Sequence, residues 1–251
     1  MTGERADDRT VLEVTGEDRL SFLQNLVTND VHLAKAGLVY AALLSPQGKY
    51  LADFFLLAQG EAILIDVSTG LADDLLRRLT LYRLRARVDI RQGALRVSRG
   101  IGPAPVDALP DPRHPALGWR LYSPTPGGEP TIDWAALRVA HCIPESGIEL
   151  IPDDSYILEA GFERLHGVDF RKGCYVGQEV TARMKHKTEL RKGLALVEVE
   201  GAAEPGAEIL SDGRVAGTMF TRSGDRAIAH LRFDRATGTM SAGLAKVRLA
   251  G

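Results

Sequence analysis

The sequence predicts an α+β protein that ends in a small β-barrel. In residues 1–99, short apolar strands alternate with helices whose leucines recur at three- and four-residue intervals. From Gly193 onward the chain consists of short strand-like segments separated by glycine turns, a spacing typical of small barrels. A stretch rich in proline and glycine follows residue 99. These changes predict three parts, residues 1–99, 100–187 and 188–251.

Residues 1–99 are expected to hold two helices among six strands. The first helix should open at Thr15-Gly16-Glu17-Asp18, which has the spacing of a capping box. The second should turn its leucines inward, with Asp74 four residues before Arg78 as an outer ion pair. The predicted strands are Thr10–Val14, Leu38–Leu44, Tyr50–Leu57, Ala62–Val67, Arg87–Ile90 and Ala94–Val97.

The rest of the chain changes from mixed structure to strands. A strand is predicted at Gly118–Tyr122, and helices at Ile132–Cys142 and Ile157–Leu165. The strands expected in the barrel are Leu194–Val199, Glu208–Leu210, Arg214–Thr221, Ala227–Leu231 and Ala245–Leu249.

Composition excludes several classes of protein. The 31 basic and 33 acidic side chains give a formal net charge of −2, so neither nucleic acid nor membrane is expected as the main partner. No apolar run approaches the roughly 20 residues that span a bilayer. The N-terminus lacks an apolar signal core, and the two cysteines, Cys142 and Cys174, form neither a disulfide framework nor a zinc site. We therefore expect a cytoplasmic, monomeric protein of bacterial type with reduced thiols and no metal ligands.

The most informative segment is Lys172-Gly173-Cys174-Tyr175-Val176-Gly177-Gln178-Glu179, followed after three residues by Arg183. Its glycines allow a positive φ and close backbone approach. If a helix starts at Val176, its N-terminus and Lys172 favour the thiolate of Cys174. The alternative is an inert, buried cysteine in a glycine-rich turn.

This motif resembles the signature of the YgfZ family, folate-binding relatives of the glycine cleavage T-protein that include a mitochondrial factor needed for 4Fe–4S protein maturation. Three further segments are similar to the family: Phe22–Val31, Gly48–Asp53 and Leu158–Gly161. The cysteine motif is specific, whereas the other three segments alone are weak signals.

The resemblance implies a ring of subdomains around a central folate channel, with tetrahydrofolate or a derivative as the cofactor. It implies that Glu159 accepts paired hydrogen bonds from the pterin ring. It places Asp53 near the folate amines, where a carboxylate can act as a base. The alternatives are that Glu159 decorates a surface helix and that Asp53 is an ordinary strand residue.

Three more side chains are candidates for the folate site. Tyr82 occupies a position similar to a tyrosine at the end of the second helix in relatives, although an aromatic residue there is more often part of the core. Arg183 belongs to a basic run that could attract the glutamyl tail of a folate or could be a solvated connector. Lys172, the first residue of the cysteine motif, is the third candidate for binding the folate. The basic run that contains Arg183 comprises Arg183, Lys185, His186, Lys187, Arg191 and Lys192.

Two main functions follow from the resemblance. The first is a folate-binding factor that supports assembly or repair of iron–sulfur proteins through Cys174, with assembly or client proteins as partners. The second is a tetrahydrofolate-dependent aminomethyl transferase with Asp53 as the base. A pure binding module that uses folate as a regulatory ligand is a third possibility.

Overall fold

The computed structural model describes residues 3–186 and 189–250. Contacts divide the chain into two compact units, one formed by Met1–Ile132 with Glu163–Val180 and the other by Asp133–Phe162 with Thr181–Gly251. The predicted three parts are a different grouping and stay a prediction. Their second boundary and Lys187 fall outside the described residues.

The described residues contain four α-helices, and each matches a helical or motif segment of the sequence. None of these helices combines the length and apolarity that crossing a bilayer requires. The helices are α1 (Arg19–Gln24), α2 (Thr69–Tyr82), α3 (Trp134–Ala140) and α4 (Gln178–His186), with 3-10 turns at Val31–Lys35 and Pro115–Leu117.

The first unit is built on two antiparallel sheets. The strands are β1 (Glu4–Arg5), β2 (Arg9–Thr15), β3 (Val39–Leu44), β4 (Tyr50–Gln59), β5 (Ala62–Ser68), β6 (Asp89–Gln92), β7 (Arg96–Gly100), β8 (Leu109–Pro110) and β9 (Trp119–Ser123). One sheet has five strands in the order β3-β4-β5-β2-β6, and the other has four in the order β1-β7-β9-β8.

The five-stranded sheet is covered on both faces, because side chains alternate along its central strands. Phe54 on β4 belongs to the apolar core that includes residues of α1 and α2. Its neighbour Phe55 points to the opposite face, where Val11 and Leu64 pack with Val97 of the second sheet. The central strands β3, β4 and β5 are therefore almost entirely buried.

The second unit contains a closed six-stranded antiparallel barrel, which confirms the predicted C-terminal barrel. Its strands are β10 (Lys192–Glu200), β11 (Glu208–Ser211), β12 (Arg214–Ser223), β13 (Arg226–Arg232), β14 (Met240–Ala242) and β15 (Ala245–Leu249). The interior is filled by apolar side chains such as Val197, Met219 and Leu231, and α3 packs on β12 and β13.

Two predicted local structures are wrong. Residues 157–165 form successive turns rather than a helix, and the chain there passes through left-handed backbone at Gly161 (φ +78°). The capping box before α1 does not form, because Thr15 is still the last residue of β2. The carboxylate of Asp18 instead accepts a hydrogen bond from the main-chain N–H of Arg87 at 2.8 Å.

Candidate functional site

Lys172 fixes the start of the cysteine motif to the first unit. Its side chain is buried, and its ammonium donates to the main-chain oxygens of Gln24, Val27 and Asn29 over 2.5–3.1 Å. Burial lowers the pKa of Lys172 from 10.5 to about 8, although Asp30 and Asp169 favour the charged form. Three carbonyls therefore occupy the ammonium, and the roles of Lys172 in binding the cofactor and in setting the charge around Cys174 stay predictions.

The segment before Lys172 is joined to the same region by polar side chains. The hydroxyl of Thr28 donates to the carbonyl of Gly167 at 2.7 Å, and the amide of Asn29 donates to the carbonyl of His166 at 2.7 Å. The main-chain N–H of Asp169 donates to Thr28 at 3.0 Å. The Phe22–Val31 segment and the cysteine motif, both noted in the sequence, therefore contact each other.

Gly177 of the motif and Gly48 of the β3–β4 turn are needed for close backbone contact, which the sequence predicted for the motif. Gly177 has a φ of +82°, and a Cβ there would lie 2.6 Å from the carbonyl oxygen of Ser45. Gly48 has a φ of +75°, and a Cβ there would lie 2.7 Å from the Cβ of Val180. A side chain at either glycine would push the two segments apart.

Cys174 is an exposed free thiol on the loop between these contacts. The alternative of a buried cysteine is therefore wrong. The helix on which the thiolate argument was conditional starts at Gln178 rather than Val176, four residues after the thiol. Within residues 3–186 and 189–250, no group of three or more His, Cys, Asp or Glu side chains is arranged to hold a metal ion.

Asp53 is buried in β4, with a relative exposure of 3%. Its two carboxylate oxygens accept hydrogen bonds from the hydroxyls of Tyr40 at 2.9 Å and Tyr50 at 2.6 Å. Burial and the negative charge of Asp53 raise the pKa of Tyr40 well above its usual value, so this hydroxyl keeps its proton. The carboxylate of Asp53 is thus enclosed by two tyrosine hydroxyls, and its role as a base stays a prediction.

The buried face around Asp53 carries a charge cluster that sequence reasoning missed. Three arginines and two aspartates form ion pairs there, and Arg113 lies over the ring of Tyr40, whose hydroxyl donates to Asp53. Arg120 lies with its guanidinium carbon 3.9 Å from the centre of the Phe55 ring, a cation–π contact. The ion pairs are Arg9–Asp66 at 2.7 Å, Arg120–Asp66 at 2.9 Å, Arg120–Asp111 at 3.1 Å and Arg113–Asp111 at 2.9 Å.

The arginines keep the aspartates of this cluster ionised. Burial alone would raise the pKa of Asp111, but Arg113 and Arg120 outweigh it and lower the pKa from 3.8 to about 2. The pKa of Asp66 is also lowered, because Arg9 and Arg120 overcome its burial. The signal for this cluster in the sequence was Asp66, which lies in the middle of the apolar strand β5. A charge buried in such a strand requires an oppositely charged partner.

Glu159 lies in a cleft of the second unit, with its side chain 11% exposed. Its Oε2 atom is 3.5 Å from Nζ of Lys192 and 3.4 Å from Nε2 of His230. Its main-chain oxygen accepts from the N–H of Leu194 at 2.7 Å. This position differs from the alternative of a surface helix and provides a carboxylate at the wall of a cavity.

The cleft has a volume of about 180 Å³ and combines acidic, basic and apolar walls. Tyr156, Phe220 and Ile151 supply flat or apolar surface, and Lys192 and His230 supply donors. Sequence reasoning missed His230 because it comes from β13, 71 residues after Glu159. Only the closed barrel brings the two together.

The remaining predicted site residues occupy less specific positions. Tyr82 is the last residue of α2, and its half-buried side chain packs against the apolar core of the first unit, as the alternative held. Arg183 is exposed in the last turn of α4. The first unit therefore contains Lys172, Cys174, Asp53 and Tyr82, and the second contains Glu159 and Arg183.

Comparisons with known proteins agree with the fold. Residues 191–250 match the family described as CAF17, C-terminal beta-barrel domain. The glycine cleavage system aminomethyltransferase T from Bartonella henselae superposes with a TM-score of 0.77 at 12% identity, covering 100% of this chain and 86% of that one. The similarity shows that the chain has the T-protein fold.

The curated relatives are iron–sulfur cluster assembly factors. The Homo sapiens protein "Iron-sulfur cluster assembly factor IBA57, mitochondrial" is 30% identical over 94% of this chain and 79% of its own length. The Pyricularia oryzae homologue is 32% identical over 73% of this chain, which spans 54% of that protein.

The names of these relatives overturn the prediction of a cytoplasmic protein, because both are named mitochondrial. The physical reason is that near-neutral charge and unpaired thiols suit any reducing compartment, so composition does not distinguish between them. The cysteine motif was the better guide: by the extent of its similarity to the human protein, this chain belongs to the IBA57 family of iron–sulfur cluster assembly factors, as the YgfZ resemblance indicated.

Proposed function

We propose that this chain is a folate-binding factor that supports the assembly or repair of iron–sulfur proteins, with Cys174 as the thiol that contacts the cluster or its carrier. The observation that carries the proposal is the exposure of Cys174 on a loop anchored on both sides. Lys172 holds the loop before the thiol, and Gly177 holds it after. Such anchoring presents a nucleophilic atom to a partner at little entropic cost.

A cluster would be a shared cargo on this chain. Iron–sulfur clusters are usually held by four thiolates, and the chain contains two cysteines, of which only Cys174 is exposed. The remaining ligands would come from a partner or client protein, which agrees with the word "assembly" in the names of the relatives. We propose a monomer that meets such partners transiently.

We propose that the cleft around Glu159 binds the pterin ring of a folate. Oε2 of Glu159 faces Lys192 and His230, while Oε1 accepts no hydrogen bond within the described residues. A carboxylate can accept parallel bonds from the pterin N3–H and 2-amino group. Tyr156 and Phe220 would cover the ring faces, and tetrahydrofolate or a derivative would supply a one-carbon carrier there. Tyr82 and Arg183 stay predicted contacts of the same ligand.

The cysteine is tested in cells that lack their own member of the family. Cys174→Ala should fail to restore the activity of cluster-dependent enzymes, while Cys142→Ala, at the half-buried second cysteine, should restore it. Both proteins are quantified by immunoblot so that abundance is matched. Full restoration by Cys174→Ala would end this role for the thiol.

The folate site is tested by calorimetric titration of the full chain with tetrahydrofolate. Saturable binding should weaken at least about tenfold in Glu159→Gln, the loss of one charge-assisted contact pair. Glu208→Gln, at an exposed position on β11, serves as the control and should bind like the parent. Binding that is unaffected by Glu159→Gln would place the ligand elsewhere, and absence of binding would show that the fold has lost its ligand.

The structure disfavours the alternative of an aminomethyl transferase with Asp53 as the base. That reaction needs a carboxylate in contact with the folate amines, whereas Asp53 is buried between two tyrosine hydroxyls. The structural similarity to the T-protein shows a shared fold and does not indicate a shared reaction.

A further inference from the structure

The end of α2 and the turn after it form an unusual basic and apolar surface, here called the 81–85 surface (Leu81, Arg83, Leu84 and Arg85). Residues 75–88 contain five arginines and no aspartate or glutamate. Unlike the basic run around α4, which includes Glu189, this run has no acidic residue within it.

Most of these arginines are neutralised by neighbours, but two are not. Arg77 and Arg78 both pair with Asp74, and Arg87 pairs with Glu17 and Asp18. Within residues 3–186 and 189–250, the exposed guanidinium groups of Arg83 and Arg85 have no ion pair. Ion pairs within the chain therefore do not account for Arg83 and Arg85.

The two leucines of the 81–85 surface do not belong to the apolar core either. Leu81 is 65% exposed and Leu84 is 88% exposed. Leu84 has a φ of +45°, a left-handed conformation that glycine or asparagine usually occupies after a helix and that costs a leucine about 1 kcal/mol. Two exposed leucines beside a strained backbone position are a feature that a contact with another molecule would explain.

We propose that the 81–85 surface docks a partner protein through an acidic, amphipathic segment. Carboxylates of the partner would pair with Arg83 and Arg85, and its apolar side chains would cover Leu81 and Leu84. Arginine suits this task because its planar guanidinium binds a carboxylate through two parallel hydrogen bonds. This inference concerns a surface separate from Cys174 and Glu159 and does not rest on the proposed function.

A protein is a better occupant than a membrane or nucleic acid. A helix that binds a bilayer needs a free apolar face to insert, whereas the apolar face of α2, with Leu75 and Leu79, is buried in the core of the first unit. Nucleic-acid affinity requires many phosphate contacts, and two unpaired arginines on a chain of net charge −2 supply few.

The test uses the full chain and a fluorescein-labelled helical peptide built from repeats of Leu-Glu-Glu-Leu, with binding followed by fluorescence anisotropy. A peptide with Gln in place of Glu and one with Ser in place of Leu separate the two contributions. Vesicles of anionic phospholipid and a labelled single-stranded DNA are run beside them.

The parent should bind the Leu/Glu peptide in preference to both altered peptides, and salt should weaken the binding. Arg83→Glu combined with Arg85→Glu should reduce the affinity about tenfold or more, and Leu84→Ser should reduce it several-fold. Arg214→Glu combined with Arg226→Glu, at exposed positions on the barrel, changes the net charge equally and should leave the affinity unchanged.

Three results would overturn the proposal. They are equal binding by the parent and the Arg83/Arg85 double variant, an equal loss in the Arg214/Arg226 control, or selective binding of the vesicles or the DNA with none of the peptide. The substituted side chains are exposed, and matching thermal unfolding curves would exclude a folding defect as the cause of any loss.

Discussion

The main chain of Gly177 lies directly against that of Ser45, so close that a Cβ at residue 177 would be 2.6 Å from the carbonyl oxygen of Ser45. Residue 177 follows the exposed Cys174 by three positions, while Ser45 opens the turn between β3 and β4. The cysteine loop is thus held to the edge of a buried sheet by backbone contact, and side chains would weaken that contact.

Gly177→Ala should lower the free energy of unfolding by about 1–3 kcal/mol, because the new Cβ meets Ser45 and the left-handed backbone is strained for alanine. Chemical denaturation measures the change. The neighbouring Gly173→Ala is a matched control, since a Cβ there meets nothing within 4 Å. Equal losses in the two variants would contradict the role of the Gly177 contact.

Lys172→Met should lower the free energy of unfolding by about 2 kcal/mol, because it leaves the carbonyls of Gln24, Val27 and Asn29 without their shared donor. Lys35→Met, at an exposed lysine, should have little effect. A fully stable Lys172→Met protein would show that the ammonium does not anchor the motif.

The same lysine predicts an alkaline dependence of stability. Its folded-state pKa of about 8 lies below the usual 10.5, so between these values the unfolded chain binds more protons than the folded one. The free energy of unfolding therefore gains a contribution as the pH rises through this range. The difference between the parent and Lys172→Met should grow from pH 8 to pH 10.5, and a constant difference would contradict the lowered pKa.

Asp111 predicts that stability falls at acidic pH, and here the pKa is lowered by neighbouring arginines rather than by burial. Its folded-state pKa is about 2 against the usual 3.8, so as the pH falls through this window the unfolded chain takes up its proton first. The associated stability, about 2 kcal/mol for a shift of this size, is complete above the upper value and lost below the lower one.

Denaturation curves at several acidic pH values test this. Asp111→Asn should start less stable, because Arg113 and Arg120 lose their shared anion, and should then change less between pH 4 and pH 2 than the parent. Asp107→Asn, at an exposed position, should follow the parent curve. Parallel curves for the parent and Asp111→Asn would contradict the assignment.

Asp53→Asn and Tyr50→Phe should each lower the free energy of unfolding by about 1–3 kcal/mol, because each leaves a buried polar atom of the Tyr50–Asp53 pair without its partner. Asp89→Asn, an exposed carboxylate on β6, is the control and should unfold like the parent. If Asp53→Asn had parental stability but lost a folate-dependent transferase activity, the residue would be a base after all.

Local pattern was sufficient for much of the fold. It predicted the leucine face of α2, the apolar strands β3–β5 and the glycine-separated strands of the barrel. The apolar periodicity of each of these elements can be recognised within a short stretch of sequence. The segment at 157–165 was mistaken for a helix because its apolar spacing is helical. Its left-handed turn at Gly161 depends on contacts that periodicity does not report.

The sequence by itself determined the family, through Lys172–Glu179, and indicated that this motif uses glycine for close backbone approach. Only the tertiary structure decided what the charged side chains do. In the folded chain, the ammonium of Lys172 donates to main-chain carbonyls that include Val27, and Asp53 lies between two tyrosine hydroxyls. His230 lies beside Glu159. The physical reason is that a buried charge is defined by partners dozens of residues away, which no local pattern specifies.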